Sequence, residues 1–177
     1  MQEIMIDEIS EETIISDEYI ASFFHQEKVE VTFLFRSHFS NTKLLRELII
    51  KILQKANAPV LWQNRFMLIV DELNNNAIEY GSLEWDLNKM MVFIQQRDEH
   101  IEISIEVQDS WKWALAKTAQ DMLEIKDQRI QKWFENHQSI RGRWLFLIIV
   151  KLVDQLYFKD APDGGLIVWV HKKLPLE

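Results

Sequence analysis

LIVDELNNNAIEYGS, residues 68–82, carries three consecutive asparagines, Asn74, Asn75 and Asn76, inside an otherwise helical pattern. Asparagine is a mediocre helix former because its side chain competes for backbone hydrogen bonds, so the run calls for a reason. On a helical wheel centred on Leu73, with roughly 100° per residue, Phe66, Ile69, Val70, Ala77 and Tyr80 fall within about 60° of the centre and form the core face. Glu72, Asn76 and Glu79 share one flank, because positions four and seven apart line up. A carboxylate and a carboxamide therefore stand one turn apart at the border of core and solvent. Such a pair can donate oxygens to a hard cation and can orient or deprotonate a hydroxyl. An ordinary amphipathic helix with a polar outer face fits the same spacing. Asn74 and Asn75 are expected on the solvated face.

Working outward, this helix is expected from about Leu61 to Tyr80, with Gly81 as its C-terminal cap. Before it, Val29, Val31, Phe33 and Phe35 alternate as a strand does. SNTKLLRELIIKILQKA then places Leu44, Leu45, Leu48 and Ile52 at helical spacing, starting at Ser40 or Asn41 and stopped by Pro59. After it, KMMVFIQQR and IEISIEVQD read as two strands about the turn DEH. Ile101, Ile103, Ile105 and Val107 form a dry face opposite Glu102, Ser104 and Glu106. Residues 114–140 are polar and weakly periodic, and a mobile lid with one or two short helices is expected there. A helix from about Arg143 to Val153, a strand QLYFK, the turn DAPDGG and a last strand LIVWVHKK complete the chain. The expected fold is an α+β two-layer sandwich, a mixed and mostly antiparallel sheet covered on one face by three helices.

The chain has 177 residues and 47% hydrophobic content, enough for one core. Two regions are expected: an acidic N-terminal extension over residues 1–27 and a single domain over 28–177. The extension has no Lys or Arg, while its acids alternate with Ile4, Ile6, Ile9, Ile14 and Ile15. It reads either as a solvated extension or short helix docked on the core, or as a partner-binding arm. A net charge of −8 speaks against nucleic acid and anionic membrane as partners. There is no cysteine and the five histidines are scattered, so thiolate or zinc sites are not expected. The longest apolar stretch, Trp144 to Val150, falls far short of the ~20 residues of a membrane span. A soluble, cytoplasmic protein is expected.

Four stretches together resemble the GHKL ATPase superfamily, in its anti-sigma regulatory factor and serine-protein kinase branch. VDELNNNAIEYG resembles the N box, matching at Glu72, Asn76, Ala77 and Gly81, with Tyr80 where histidine is usual. EVQDSWKWA lies where that family has its first glycine box, and RGRWLFLIIVKLVDQLYF looks like the second. DGGLIVWV resembles the closing Gly-Gly and final strand. The resemblance covers roughly residues 28–174 and implies the Bergerat, or histidine kinase-like ATPase, fold. It implies ATP and Mg²⁺ as cofactors, with Asn76 as the metal ligand, Glu72 as general base and Asp109 on the adenine amino group. Gly142 and the residues around it are implied on the nucleotide.

The departures from the family pattern lie at the glycines. Trp111 and Trp113 replace both glycines of the first box, and Trp144 replaces the one after Gly142. Glycine there permits positive φ and close approach of backbone to ligand, whereas an indole fills space or offers a stacking surface. Three readings follow: an abandoned nucleotide site on an interaction module, a remodelled site that stacks adenine on an indole, or an unrelated role on the same scaffold. The branch implies an anti-sigma-factor-like regulator in a partner-switching circuit with a degenerate ATP site. The alternative is an active ATP- and Mg²⁺-dependent kinase that phosphorylates serine or threonine on a STAS-type antagonist. Implied partners are a sigma factor, the STAS antagonist or both, and a second copy in a homodimer. Trp62, Trp85 and Trp133 are candidates for core packing or for exposed partner surfaces.

Overall fold

The computed structural model describes residues 2–110, 117–135, 149–162 and 164–175, with positions 80, 81 and 129–135 in backbone only. The expected strands and the first two expected helices are present, whereas most of the helix expected from about Arg143 to Val153 lies outside the described residues. β3 spans Lys28–Arg36, α3 Phe39–Lys55, α4 Val60–Asn76, β4 Leu87–Gln96, β5 His100–Gln108, β6 Gln155–Asp160 and β7 Leu166–Pro175. The lid region holds one long helix, α5, Ala119–Glu135, in place of the short ones expected. Its start is closed by a capping box. Thr118 Oγ1 accepts from Asp121 N–H at 3.1 Å, and Asp121 Oδ2 accepts from Thr118 N–H at 2.9 Å.

α3 ends because Asn57 adopts φ 55°, which lets Ala58 N–H reach Leu53 O at 3.0 Å and Asn57 N–H reach Gln54 O at 3.0 Å. This is the left-handed stop that Asn tolerates. Pro59 then opens α4 antiparallel to α3, and Arg46 pairs with Asp71 across the seam at 3.1 Å. With β1 spanning Gln2–Met5, the strand order is β1-β3-β4-β5-β7-β6, antiparallel throughout except where β1 joins β3. Val31, Phe33, Met90, Val92, Ile103 and Ile105 from the sheet are buried together with Leu48, Ile52, Ile69 and Val70 from α3 and α4. The fold is therefore α+β, with one mixed, mostly antiparallel sheet and a helical layer packed on it.

The first 27 residues supply more than docked helices. β1, Gln2–Met5, is a sheet strand, with Ile4 in register with Phe33. Asp7 then clips the crossing: its Oδ2 accepts from Arg36 N–H at 3.0 Å and its Oδ1 from Asn41 Nδ2 at 2.9 Å. Ser10 and Ser16 cap α1, Glu11–Ile14, and α2, Asp17–Ser22, each accepting the amide three residues on. The acids in those first turns sit where the helix dipole favours them. β2, Phe24–His25, then turns back onto β3.

Two features of α4 differ from the sequence reading. The α-helix stops at Asn76, and Ala77–Gly81 continue as a π-turn. Widening the turn lets two successive residues, Ala77 and Ile78, both face the core. Asn74, expected in solvent, is fully buried. It lies toward β4, and its Nδ2 donates to Met90 Sδ at 3.5 Å. Its Oδ1 has no hydrogen-bond partner among the described residues. The apolar face is thus wider than the wheel centred on Leu73.

On the wetter face of β5, burial pushes the Glu106 carboxyl above its ordinary value, opposed by Lys159 and by the hydrogen bond with Tyr157. The folded pKa lies above the unfolded one, so this group favours folding when protonated and loses that contribution as pH rises through the folded value. Glu106→Gln should therefore raise stability at neutral pH, by no more than about 0.5 kcal/mol because solvent screens the half-exposed carboxyl. In thermal melts across pH the gain should shrink toward acid; a pH-independent difference would show that the carboxyl's ionisation is not its source.

Candidate functional site

The C-terminal half of α4, the end of β5 and the strands β6 and β7 enclose a cavity of about 310 Å³. Its polar lining includes Glu72 and Asn76 from α4, Asp109 just past β5, and Lys117 before α5. Three of these four are the residues picked from sequence, brought to one place from positions 72, 76 and 109. The rest of the wall is apolar, with Leu73 and Val107 on one side, Phe158 and Leu166 on another, and Met122 and Ile125 from α5. A concave, mostly apolar space with a few convergent polar groups is the general form of a small-molecule site.

Glu72, Asn76 and Asp109 are each held by a hydrogen bond. Asn76 Nδ2 donates to Glu72 Oε1 at 3.1 Å, so the one-turn spacing becomes an actual contact and Asn76 Oδ1 is left outside that bond. Asp109 is only 9% exposed. Its Oδ1 accepts from Leu166 N–H at 2.8 Å, and its own N–H donates to Leu166 O at 3.1 Å. A buried carboxylate fixed by a backbone amide has one orientation available, which suits recognition of a donor on a ligand. The close approach depends on Gly165, at φ 100°, where an added Cβ would lie 2.1 Å from Asp109 O.

A polar network adjoins Asp109. Ser82, buried and next after the π-turn, donates to Asn88 Oδ1 at 2.5 Å and accepts from Ser110 N–H at 3.1 Å. Asn88, fully buried, donates through Nδ2 to Ser37 Oγ at 2.9 Å. The single Ser110 hydroxyl proton is shared between Ser82 Oγ at 3.1 Å and Asp86 Oδ2 at 2.9 Å. Sequence reading missed this network and Lys117. Scattered serines and one lysine in a polar excursion carry no period or spacing that would mark them.

Gly142, Trp111, Trp113 and Trp144 lie outside the described residues. Of the other tryptophans, Trp62 packs on the core, with Lys172 Nζ 4.8 Å and Arg65 4.6 Å from its ring centre. Trp85 is 75% exposed and meets His38 edge-on. The side chain of Trp133 is not described. Among the described residues no helix is long and apolar enough to cross a membrane, and no cluster of three or more His, Cys, Asp or Glu could hold a metal. Neither a protein-family model nor a curated protein matches the chain.

Proposed function

We propose that this chain is a regulatory protein of the anti-sigma kind, acting by partner switching, and that the cavity is its adenine-nucleotide site on a Bergerat-type scaffold. The observation that carries the reading is the convergence of Glu72, Asn76 and Asp109 on one largely apolar cavity. In this reading the adenine lies among the apolar side chains with its amino group donating to Asp109. Asn76 Oδ1 would supply the protein's oxygen to a Mg²⁺ that neutralises the phosphate charge. That donor set suits a cation that arrives with a polyphosphate, since Mg²⁺ is commonly held by one or two protein oxygens in such sites. Lys117, also in the lining, would supply a positive charge for the phosphates. Were the site also a kinase, Glu72 would take the proton of a serine hydroxyl as its oxygen bonds the γ-phosphorus and ADP leaves.

A second reading, a nucleotide-free interaction module on the same scaffold, is favoured by Trp111, Trp113 and Trp144 standing where the family has glycine. Calorimetry and thermal melting with ATP, with and without Mg²⁺, separate the two. The nucleotide reading expects saturable heat and, at 100 times the dissociation constant, about 2.7 kcal/mol of stabilisation. It also expects Asn76→Ala to abolish the Mg²⁺ dependence. No heat and no shift at millimolar ATP would leave the interaction module standing.

A further inference from the structure

Glu72 and Asn76 belong to one rigid element and Asp109 to another, so a ligand that touches all three needs the two elements held in fixed relation. The chain leaves Asn76 through the π-turn Ala77–Gly81 and arrives directly at Ser82. Ser82 Oγ then meets the residue after Asp109 twice, through Ser110 N–H and Ser110 Oγ, each at 3.1 Å. It is anchored from behind by Asn88 at the start of β4, which is itself tied to Ser37 at the end of β3. A π-turn is a costly irregularity in a helix end, and one of its effects here is to deliver this hydroxyl to the end of β5. The hub is almost sealed from water, Ser82 being 6% and Asn88 0% exposed, so each lost partner leaves a buried group unsatisfied.

We infer that Ser82 is a positioning residue of the cavity, setting the separation between the Glu72–Asn76 pair and the Asp109 carboxylate through its hydrogen bonds to Ser110 and Asn88. The inference rests on the nucleotide reading for its ligand, though not for its geometry. Ser82 is not among the described residues that line the cavity, and it acts through Ser110 on the residue before it. Removing its oxygen frees the Asp109 end of β5 to shift against α4. Removing only the Ser110 hydroxyl leaves the backbone donor to Ser82 in place and should matter less.

Three variants of the full chain test this: Ser82→Ala, Ser110→Ala and, as a rescue that keeps the hydroxyl on extended backbone, Ser82→Thr. The readouts are MgATP affinity by calorimetry and hydrogen exchange at the Asp109 and Leu166 amides, which donate to Leu166 O and Asp109 Oδ1 and not to Ser82. The expected result is at least a tenfold loss of affinity in Ser82→Ala, a smaller loss in Ser110→Ala and recovery in Ser82→Thr. Exchange at both amides should accelerate in Ser82→Ala alone. Equal losses in the two alanine variants, or wild-type affinity in Ser82→Ala, would overturn the inference. If the wild type itself binds no ATP, the nucleotide reading fails and exchange decides: unchanged protection of Asp109 and Leu166 in Ser82→Ala then overturns the positioning role.

Discussion

Gly165→Ala is expected to destabilise the protein by roughly 3 kcal/mol or more and to remove ligand binding at the cavity. Two costs add. The residue sits at φ 100°, a conformation that L side chains rarely adopt, and its new Cβ would meet Asp109 O at 2.1 Å, Asp109 C at 3.0 Å and Asp109 Oδ1 at 3.1 Å. Two of those three atoms are backbone at the end of β5, so relief requires moving the strand itself and not merely a side chain. The same movement would break the paired bonds between Asp109 and Leu166 that orient the carboxylate. Gly164→Ala is the matched control, with a similar φ of 89° and nothing within 4 Å of its Cβ. It should cost only the backbone preference, roughly 1–2 kcal/mol. Chemical denaturation of the two variants gives the difference directly, and equal costs would mean that φ alone, and not the approach to Asp109, explains the need for glycine.

That pair of glycines was legible as a turn before β7, though which of them is indispensable was not, because the answer lies in contact with a residue 56 positions earlier, Asp109. The same division holds elsewhere. Period-2 alternation in β3 and β5 survives into the structure because one sheet face is dry and the other wet. The carboxylate–carboxamide pair was legible for the reason that i,i+4 geometry is local. What could not be read was set by tertiary contact. Asn74 is buried because α4 leans toward Met90, a preference its own side chain does not announce. The π-turn follows from burying both Ala77 and Ile78, and Ser82 gains its partners only when the β4 and β5 ends meet it. β1 was hidden for a different reason: at four residues, with a single parallel neighbour, it is too short to show a period.

Removing the first 27 residues is expected to abolish folding, and the reasons are all in what that segment buries. Ile4, Ile6, Ile14, Ile20 and Phe23 are each 4% exposed or less and join the central core cluster. Phe23 meets Phe33 edge-on, with ring centres 5.8 Å apart. At roughly 1.5–3 kcal/mol per fully buried large apolar side chain, these five contribute about 7–15 kcal/mol as an upper bound. That is comparable with the whole net stability of an ordinary domain, about 5–15 kcal/mol. The loss would also uncover the edge of β3, where β1 now pairs from Val31 to Leu34, and an open apolar edge invites pairing between chains. A chain of residues 28–177 should therefore be recovered aggregated or without a cooperative melt. Asp7→Ala, which removes only the clip to Arg36 and Asn41, should leave a folded protein weakened by about 1–2 kcal/mol. Circular dichroism melts of the two proteins decide the matter. If residues 28–177 alone melt cooperatively near the full-length temperature, the acidic segment is an appendage and its buried isoleucines contribute nothing to holding the sheet. If only the shortened chain fails, the N-terminal acids are the solvated side of a segment whose apolar half belongs to the core.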